Sequence, residues 1–520
     1  MKKLISIIGI FAIILTFAAC GNKEDGKVTT DNISSSQPIS DTPTAKGQVY
    51  FLNFKPEVSK VYEEIAREYE AETGVTVKVV TAASDTYEQT LPSEIAKSNP
   101  PTIFQINGPI GYSAWKNYCA DLKDTKLYSL LSDKSLAITS DGGVYGIPYV
   151  IEGYGIIYNE DITDKYFALE TKQTDFTSME QINSFSKLKS LVEDMTKNKE
   201  ALGIEGVFAS TSFAPGNQWR WNTHLLNIPF HYEMDEIDNF DNSTLAALGT
   251  DKFEFTNNRY FKDIFDLYLN NSITDKKLTG SKSVGNSMAE FALGKVAMVQ
   301  NGSWAYSEIS TTQGNTVKSD KVKMLPIYMG LEGESDQGLC IGTENYLAIN
   351  SKASPEDIKA SEDFLYWLFS SEKGKRYVTE ELGFVTPFKT LSDAKLKDPL
   401  ANEVLRWSNK DDIDSVPWSF VAFPAMTFKD DVGSALLEYA QGSAPWEDTA
   451  EKIREAYKKA KESIKLYVPA GRGGSAGERS STRGRSPRKS LCDFAEPPPC
   501  TDLQSRQKNK LKIIRSSERQ

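Results

Sequence analysis

The chain has 520 residues, of which 39% are hydrophobic and 25% charged, a composition typical of a globular protein with room for two or three domains. Its formal net charge of −11 is unevenly divided, because residues 469–520 carry +7 and the remainder −18. The chain has only two histidines and contains no H-E-x-x-H or C-x-x-C spacing. It therefore offers few of the residues that a zinc site or a histidine-based triad requires. We therefore expect no metal and no cofactor.

The first 20 residues have the layout of a bacterial lipoprotein signal peptide. Lys2 and Lys3 precede an apolar run from Leu4 to Phe17 that is too short for a comfortable membrane span. The sequence FAAC, ending at Cys20, resembles the lipobox, in which the cysteine becomes lipid-modified; an ordinary signal peptide with an incidental cysteine is the alternative. Residues 21–46 contain almost no large apolar side chain and predict a disordered tether.

Strand and helix patterns alternate at the start of the folded body. Residues 48–54 (QVYFLNF) predict a strand, and apolar positions 58, 61, 65 and 69 then share one helical face until Gly74 ends the helix. A strand over 75–80, a helix that stops at Pro100 and a strand over 102–106 follow. This alternation predicts a mostly parallel sheet, whose ligands lie beyond the carboxyl ends of the strands. The loops at 53–55 and 107–109 are therefore candidate ligand loops.

Later segments predict a hinge, a strand-to-helix corner and two helices. In GGVYGIPYVIEGYGIIYN (142–159), Gly and Pro separate short apolar runs, as expected where a chain crosses between lobes. In FALGKVAMVQNGSW (291–304), we expect a strand to Gln300, a turn at Asn301-Gly302 and a helix from Trp304. Ser354 is the predicted N-cap of one helix, and residues 450–467 predict a surface helix.

Six segments resemble, in order, the extracellular solute-binding proteins of carbohydrate ABC transporters, of which maltose-binding protein is one. They are EIAREYEAETGVTVKV (64–79), PPTIFQI (100–106), GGVYGIPYVIEGYGIIYN, FALGKVAMVQNGSW, GTENYLAINSKASPEDIKASEDFLYWLFSSEKGKRYV (342–378) and ELGFVTPFK (381–389). The resemblance covers about residues 48–467. It implies an α/β, two-lobed periplasmic-binding-protein-like fold with hinge crossings, of the maltose-binding-protein type, and no enzymatic activity.

The expected domain organisation has four parts. A signal peptide (1–20) and a tether (21–46) precede a two-lobed body (47–468) and a basic tail (469–520). The lobes are expected to be discontinuous, with approximately 47–150 plus part of 305–390 as the first and the remainder as the second. The tail is rich in Arg, Ser, Gly and Pro and predicts a disordered, non-native extension; a nucleic-acid-binding arm is the alternative, disfavoured because an exported lipoprotein meets no nucleic acid.

Trp304 is the main candidate for a residue that contacts the ligand. A pyranose ring offers an apolar patch that stacks on a flat aromatic side chain and hydroxyls that need hydrogen-bond partners, and stacking is worth about 2 kcal/mol. The resemblance implies that Trp304 stacks on sugar; a core role is the alternative. The other aromatic candidates are Trp219, Trp221, Trp418 and Phe428. The polar candidates, each with an ordinary surface role as its alternative, are Asn53, Lys55, Asn107, Glu152, Asp336, Thr343 and Glu344.

The resemblance implies a lipid-anchored substrate-binding component of an ABC importer, which captures an oligosaccharide by hinge closure and delivers it to the permease. We expect a monomer on the extracellular face of a bacterial cell membrane, held there through Cys20. The alternatives are an exported glycoside hydrolase, which requires a suitably spaced carboxylate pair, and a lipoprotein receptor for a peptide. Free buried cysteines are favoured at Cys119 and Cys340, with a bridge between them left open.

Overall fold

The computed structural model describes residues 46–467, except 84–85, 236–249, 251, 344 and 393 and the side chains of Met426 and residues 464–467. The expectations for the signal peptide, Cys20, the tether up to residue 45 and the tail lie outside the described residues. Within the described residues, no helix combines the length and the apolar character needed to cross a bilayer.

The described strands form two mixed sheets. In chain order they are β1 Gln48–Asn53, β2 Thr76–Thr81, β3 Ile103–Asn107, β4 Ile138–Ser140, β5 Gly143–Pro148, β6 Glu152–Asn159, β7 Gly206–Phe208, β8 Val296–Gly302, β9 Val322–Leu325, β10 Gln337–Gly342, β11 Asn345–Ile349 and β12 Asp414–Pro417. The first sheet has the order β2-β1-β3-β11-β5-β4. The second has the order β12-β10-β6-β8-β7, with β9 also paired to β6. Each sheet with its packed helices is called a lobe below.

Helices cover both sheets. In chain order they are α1 Ser59–Thr73, α2 Tyr87–Ile95, α3 Gly108–Trp115, α4 Lys126–Leu130, α5 Glu160–Phe167, α6 Phe185–Lys197, α7 Lys199–Leu202, α8 Leu226–Met234, α9 Asn258–Asn270, α10 Val284–Ala292, α11 Tyr306–Thr311, α12 Pro355–Ser370, α13 Glu372–Arg376, α14 Pro399–Ser408, α15 Met426–Ala440 and α16 Trp446–Tyr467. Two π-helical segments, Arg220–Leu225 and Tyr377–Glu381, are also present.

The predicted local signals agree with these elements. Gly74 ends α1 in the left-handed conformation at φ 69°, which glycine adopts without a Cβ clash. Ser354 caps α12 by accepting a hydrogen bond from the backbone N–H of Asp357 at 3.1 Å. The expectations of strands near 48, 75 and 102, and of helices after the first two, are thus confirmed. The second helix ends at Ile95 rather than at Pro100, and the expected loop at 107–109 is wrong in part, because α3 begins at Gly108.

The expectation of a mostly parallel sheet is wrong. Strand β1 pairs in parallel with β2 and β3, but β11 runs antiparallel to both β3 and β5. The reason is that β11 enters the first sheet from the second lobe, directly after β10, and so runs against the strands that began in the first lobe. Helix–strand alternation predicts strand direction only while the chain stays within one sheet.

The chain passes between the sheets at short segments. Strand β5 ends at Pro148 in the first sheet and β6 begins at Glu152 in the second. Strand β10 ends at Gly342 in the second sheet, and β11 begins at Asn345 in the first. The first passage lies inside the segment 142–159 that the sequence predicts as a crossing.

The two lobes have separate apolar cores. Phe51, Ile103 and Phe364 are fully buried in the first lobe, and Ile156 and Phe265 in the second. Cys119 and Cys340 are buried and free, which confirms the favoured expectation for both thiols. Because each lobe buries its own core, each can remain packed if the chain bends at the passages.

Candidate functional site

A buried ion pair joins the two lobes. At the end of β1, Asn53 Oδ1 accepts from the Lys55 backbone N–H at 3.0 Å, and Asn53 Nδ2 donates to the Lys55 carbonyl at 2.7 Å. This loop directs Lys55 Nζ to Glu152, the first residue of β6, with distances of 2.8 and 2.9 Å to its two carboxylate oxygens. Lys55 and Glu152 are 4% and 6% exposed. Two residues predicted as ligand contacts thus meet at the junction of the lobes.

A second carboxylate lies beside this pair. Glu57 Oε1 is 3.6 Å from Lys55 Nζ. Burial raises the pKa of Glu57, an effect that the Lys55 ammonium opposes. Among the described residues, no group of three or more His, Cys, Asp or Glu side chains is arranged to hold a metal ion. Both Glu152 oxygens accept hydrogen bonds from Lys55 Nζ, and a carboxylate oxygen can accept more than one hydrogen bond.

A cavity of about 240 Å³ opens next to the ion pair. Glu57 and Phe384 contribute to its wall from the first lobe, and Trp304 and Tyr306 from the second, with Glu152 at the passage between them. The cavity therefore has a flat aromatic ring and carboxylates facing one volume, as a site for a polyhydroxylated ligand requires.

An aromatic cluster lies at the same end of the second sheet. Its members are Tyr154, Trp219, His224, Trp304, Trp418 and Phe420. His224 stacks on Tyr154 with ring centroids 4.3 Å apart and is 5.0 Å from Trp219 and 5.4 Å from Trp304. Three tryptophans that the sequence predicts as ligand contacts, Trp219, Trp304 and Trp418, thus surround one histidine.

Trp304 lies in a short 3-10 turn rather than at a helix start. The expected turn at Asn301-Gly302 is wrong, because both residues still belong to β8, where Asn301 pairs with Gly155 and Gly302 with Tyr154 of β6. The chain turns at Ser303–Ala305 instead, and α11 follows. The indole folds back over Gly302, where a Cβ would be 2.1 Å from the ring. Gly302 therefore leaves the space that the Trp304 ring occupies.

The π-helix explains why Trp219 and His224 meet. In an α-helix, side chains five positions apart diverge by about 140°. The i→i+5 pattern of a π-helix brings them close to one face. Trp219 directly precedes the π-helical segment Arg220–Leu225 and its ring contacts that of His224. The same winding buries Trp221 on another side.

A buried arginine holds this segment against β8. Arg220 is 1% exposed, and its guanidinium donates to the Gln300 carbonyl at 2.9 Å, to Ser212 Oγ at 2.6 Å and to Ser287 Oγ at 2.8 Å. Gln300 Nε2 in turn donates to the Arg220 carbonyl at 2.7 Å. Burial lowers the pKa of Arg220 to about 10. These bonds position Trp219 and the strand that leads to Trp304.

Two predicted aromatic contacts lie in the core of the second lobe. Trp221 is 2% exposed, donates from Nε1 to the Ser212 carbonyl at 2.9 Å and contacts Phe265. Phe428 is fully buried and packs against Tyr457. The structure gives both side chains a packing role and does not bring them into the aromatic cluster.

The remaining polar candidates are dispersed. Asn107 ends β3, partly buried, and Thr343 follows β10 at the passage to the first lobe. Asp336 is exposed before the opposite end of β10, about 20 Å along the strand from Gly342. The structure therefore does not bring Asp336 to the other candidates. Glu344 lies outside the described residues.

The fold has two lobes, and the cavity and the ion pair lie where the lobes meet. Residues 64–404 match the family of bacterial extracellular solute-binding proteins, and the chain belongs to that family. Its members are binding proteins rather than enzymes, which confirms the expectation of no catalytic activity and sets aside the glycoside hydrolase alternative.

Known relatives are distant in sequence. The chain is 27% identical over 184 residues to the maltodextrin-binding protein MdxE of Bacillus subtilis (strain 168), a match that spans 35% of this chain and 39% of that protein. Among solved structures, RafE in complex with raffinose superposes with a TM-score of 0.61 at 18% identity, covering 80% of this chain and 99% of the other. A sugar transporter from Bacillus licheniformis in complex with stachyose gives 0.59 at 17% identity, covering 79% and 100%. These likenesses confirm the expected two-lobed α/β fold.

Sequence reasoning missed His224, because the two histidines were considered only as material for a zinc site or a catalytic triad. The available signal was the spacing WRWNTH, in which Trp219 and His224 are five positions apart. That spacing places two rings together only in a π-helix, and sequence periodicity alone does not predict one. Phe420 and Tyr154 were also missed, although both flank predicted residues.

Proposed function

We propose that this chain captures an oligosaccharide between its lobes as the substrate-binding component of an ABC importer. The observation that supports this most directly is that Trp304, a member of the aromatic cluster, and the buried carboxylate of Glu152 line the same interlobe cavity. A pyranose needs a flat apolar surface for its C–H face and strong acceptors for its hydroxyls. The names of the relatives, which mention maltodextrin, raffinose and stachyose, point to the same ligand class.

Each side chain at the site has a proposed role. Trp304 is the stacking surface, and Trp219, whose ring centroid is 6.0 Å away and tilted by 54°, extends it. Glu152 accepts hydrogen bonds from hydroxyls, and Lys55, whose ammonium already pairs with Glu152, also donates to a ligand oxygen. The further polar contacts we propose are Asn53, Asn107 and Thr343.

Capture is coupled to a change in the angle between the lobes. In the structure the lobes also touch away from the ion pair residues, since a Cβ on Gly108 of α3 would lie 3.0 Å from the Val421 side chain. A ligand that contacts both lobes binds a closed arrangement better than an open one and shifts the population toward it. We propose that bending is confined to the passages between the lobes, such as residues 149–151, while both cores stay packed.

The closed form presents both lobes to the permease subunits. A lipid on Cys20 would keep the protein at the outer surface of the cell membrane, within reach of the permease, which fits a cell without a confining periplasm. The residues that carry this part of the proposal lie outside the described residues, so it depends on the lipobox resemblance.

Calorimetry on residues 47–468 tests the ligand class. Maltotriose, raffinose, stachyose, xylotriose and chitotriose should include at least one sugar that binds stoichiometrically, and chromatography afterwards should recover that sugar intact. A trialanine peptide serves as the negative control. Binding of the peptide with no binding of any sugar would contradict the proposal, as would hydrolysis of the bound sugar.

A further inference from the structure

One tryptophan of the aromatic cluster has an indole N–H with no acceptor. Trp418 is 3% exposed, and its Nε1 is buried without a hydrogen-bond partner among the described residues. Four other buried tryptophans all donate from Nε1: Trp221 to the Ser212 carbonyl, Trp367 to Glu72, Trp407 to the Met324 carbonyl and Trp446 to Asn258. A buried donor without a partner is costly, so this exception calls for an acceptor that the described residues do not supply.

The position of Trp418 places this donor at the interlobe end of the second sheet. Pro417, just before it, pairs with Ile341 of β10. A Cβ on Gly342, the next residue of β10, would be 2.6 Å from the Trp418 ring, and Gly342 itself pairs with Glu152. The hydroxyl of Thr343, the following residue, is likewise buried without a partner. The unpartnered groups therefore lie next to the strand position that pairs with Glu152, a residue that lines the interlobe cavity.

A second polar group of the cluster faces the same region. Within the part of the chain that the structure describes, no hydrogen bond is formed by the imidazole of His224, which is 6% exposed. Burial, reinforced by the positive charges of Lys429 and Arg220, holds the pKa of His224 well below its usual value. A neutral imidazole has one nitrogen that donates and one that accepts.

We propose that His224 and Trp418 together recognise one hydroxyl group of the bound sugar. The indole N–H donates to the hydroxyl oxygen, and the hydroxyl proton is donated to the unprotonated nitrogen of His224. The ring centroids are 6.1 Å apart, which is compatible with one oxygen about 2.9 Å from a nitrogen on each ring. In this proposal Trp418 contributes a hydrogen bond rather than a stacking face, because its ring is already packed against Tyr154 and Phe420, with ring centroids 5.7 and 5.2 Å away.

His224 and Trp418 would determine which sugars bind, by requiring a hydroxyl group at one position. This inference rests on the proposed function. A site built to hydrogen-bond a hydroxyl discriminates strongly against a ligand that lacks it, because its buried polar groups are then unpaired. Trp304 offers an apolar face that any pyranose can cover. Trp418 and His224 instead require a hydroxyl at one position beside the stacked ring.

The test compares Trp418→Phe with Trp407→Phe. Both variants replace a buried indole by a smaller phenyl ring, but Trp407 also loses a hydrogen bond of 3.0 Å to the Met324 carbonyl, whereas Trp418 loses only an unpartnered donor. Without sugar, Trp418→Phe should therefore lower the Tm less than Trp407→Phe. With the tightest-binding sugar of the panel above, Trp418→Phe should weaken binding about tenfold and Trp407→Phe by less than twofold.

His224 variants complete the experiment. His224→Phe should also weaken binding about tenfold, His224→Gln should recover part of the loss, and the double variant with Trp418→Phe should lose less than a hundredfold because both groups bind the same hydroxyl. Unchanged affinity in both single variants, with wild-type protein binding the sugar, would overturn this inference and leave the proposed function standing. Failure of the wild-type protein to bind any panel sugar would overturn both.

Discussion

Gly302→Ala should weaken sugar binding by displacing Trp304 without removing it. The φ of Gly302 is −116°, so alanine is allowed by the backbone, but its Cβ would lie 2.1 Å from the Cη2 and Cζ3 atoms of the Trp304 indole. Ordinary contact begins near 3.4 Å, and the ring must therefore shift by about 1.3 Å. The substitution tests the position of the ring separately from its presence.

The expected magnitude follows from the stacked area. If a pyranose covers about 80 to 100 Å² of apolar surface on Trp304, the area coefficient gives about 2 kcal/mol, or about thirtyfold in Kd. Trp304→Ala should lose this whole contribution, and Gly302→Ala most of it. The double variant should bind about as weakly as Trp304→Ala alone, because a displaced ring and an absent ring lose the same contact.

The assay is calorimetric titration with the sugar that the wild-type protein binds best, accompanied by thermal unfolding. Gly285→Ala is the matched control, because Gly285 lies in α10 and the nearest atom to its Cβ position is Ser283 Oγ at 3.8 Å. That variant should keep the affinity and slightly raise the Tm through helix propensity. Wild-type affinity for Gly302→Ala, or additive losses in the double variant, would refute the assignment of Trp304 as the stacking surface.

Three further predictions concern the ion pair, the tail and the motion. Lys55→Met should lower the free energy of unfolding, measured by urea titration, by about 3 to 5 kcal/mol, because it leaves Glu152 buried without its cation. Combining it with Glu152→Gln should recover most of that loss. A loss below about 1 kcal/mol for Lys55→Met alone would contradict a buried ion pair. Deletion of residues 469–520 should change neither sugar affinity nor Tm, because that sequence has no apolar period with which to pack, and a fall of several degrees would contradict this. Saturating sugar should reduce the radius of gyration measured by small-angle scattering, and equal radii with and without sugar would argue against hinge closure. The same sugar should quench tryptophan fluorescence, and Trp304→Phe should remove most of that quenching.

The sequence alone determined the local elements and the family. Gly74 and Ser354 mark helix ends through backbone conformation and capping, which depend on neighbours only a few residues away. The order of six short motifs was sufficient to indicate the family. The prediction that Trp304 follows a strand is also correct, although the strand ends at Gly302 rather than at Gln300. Such features follow from spacing along the chain, so they can be read without knowing what packs against them.

The tertiary structure alone decided which candidates share a site. Trp219, Trp304 and Trp418 come from three separate segments, and their convergence on His224 depends on the pairing of β8 and β10 with β6. Trp221, only two positions from Trp219, is in the core because a π-helix turns it away from the cluster. Strand direction, side-chain facing and unpartnered donors depend on contacts between residues far apart in the chain, and a single sequence carries no direct record of those contacts.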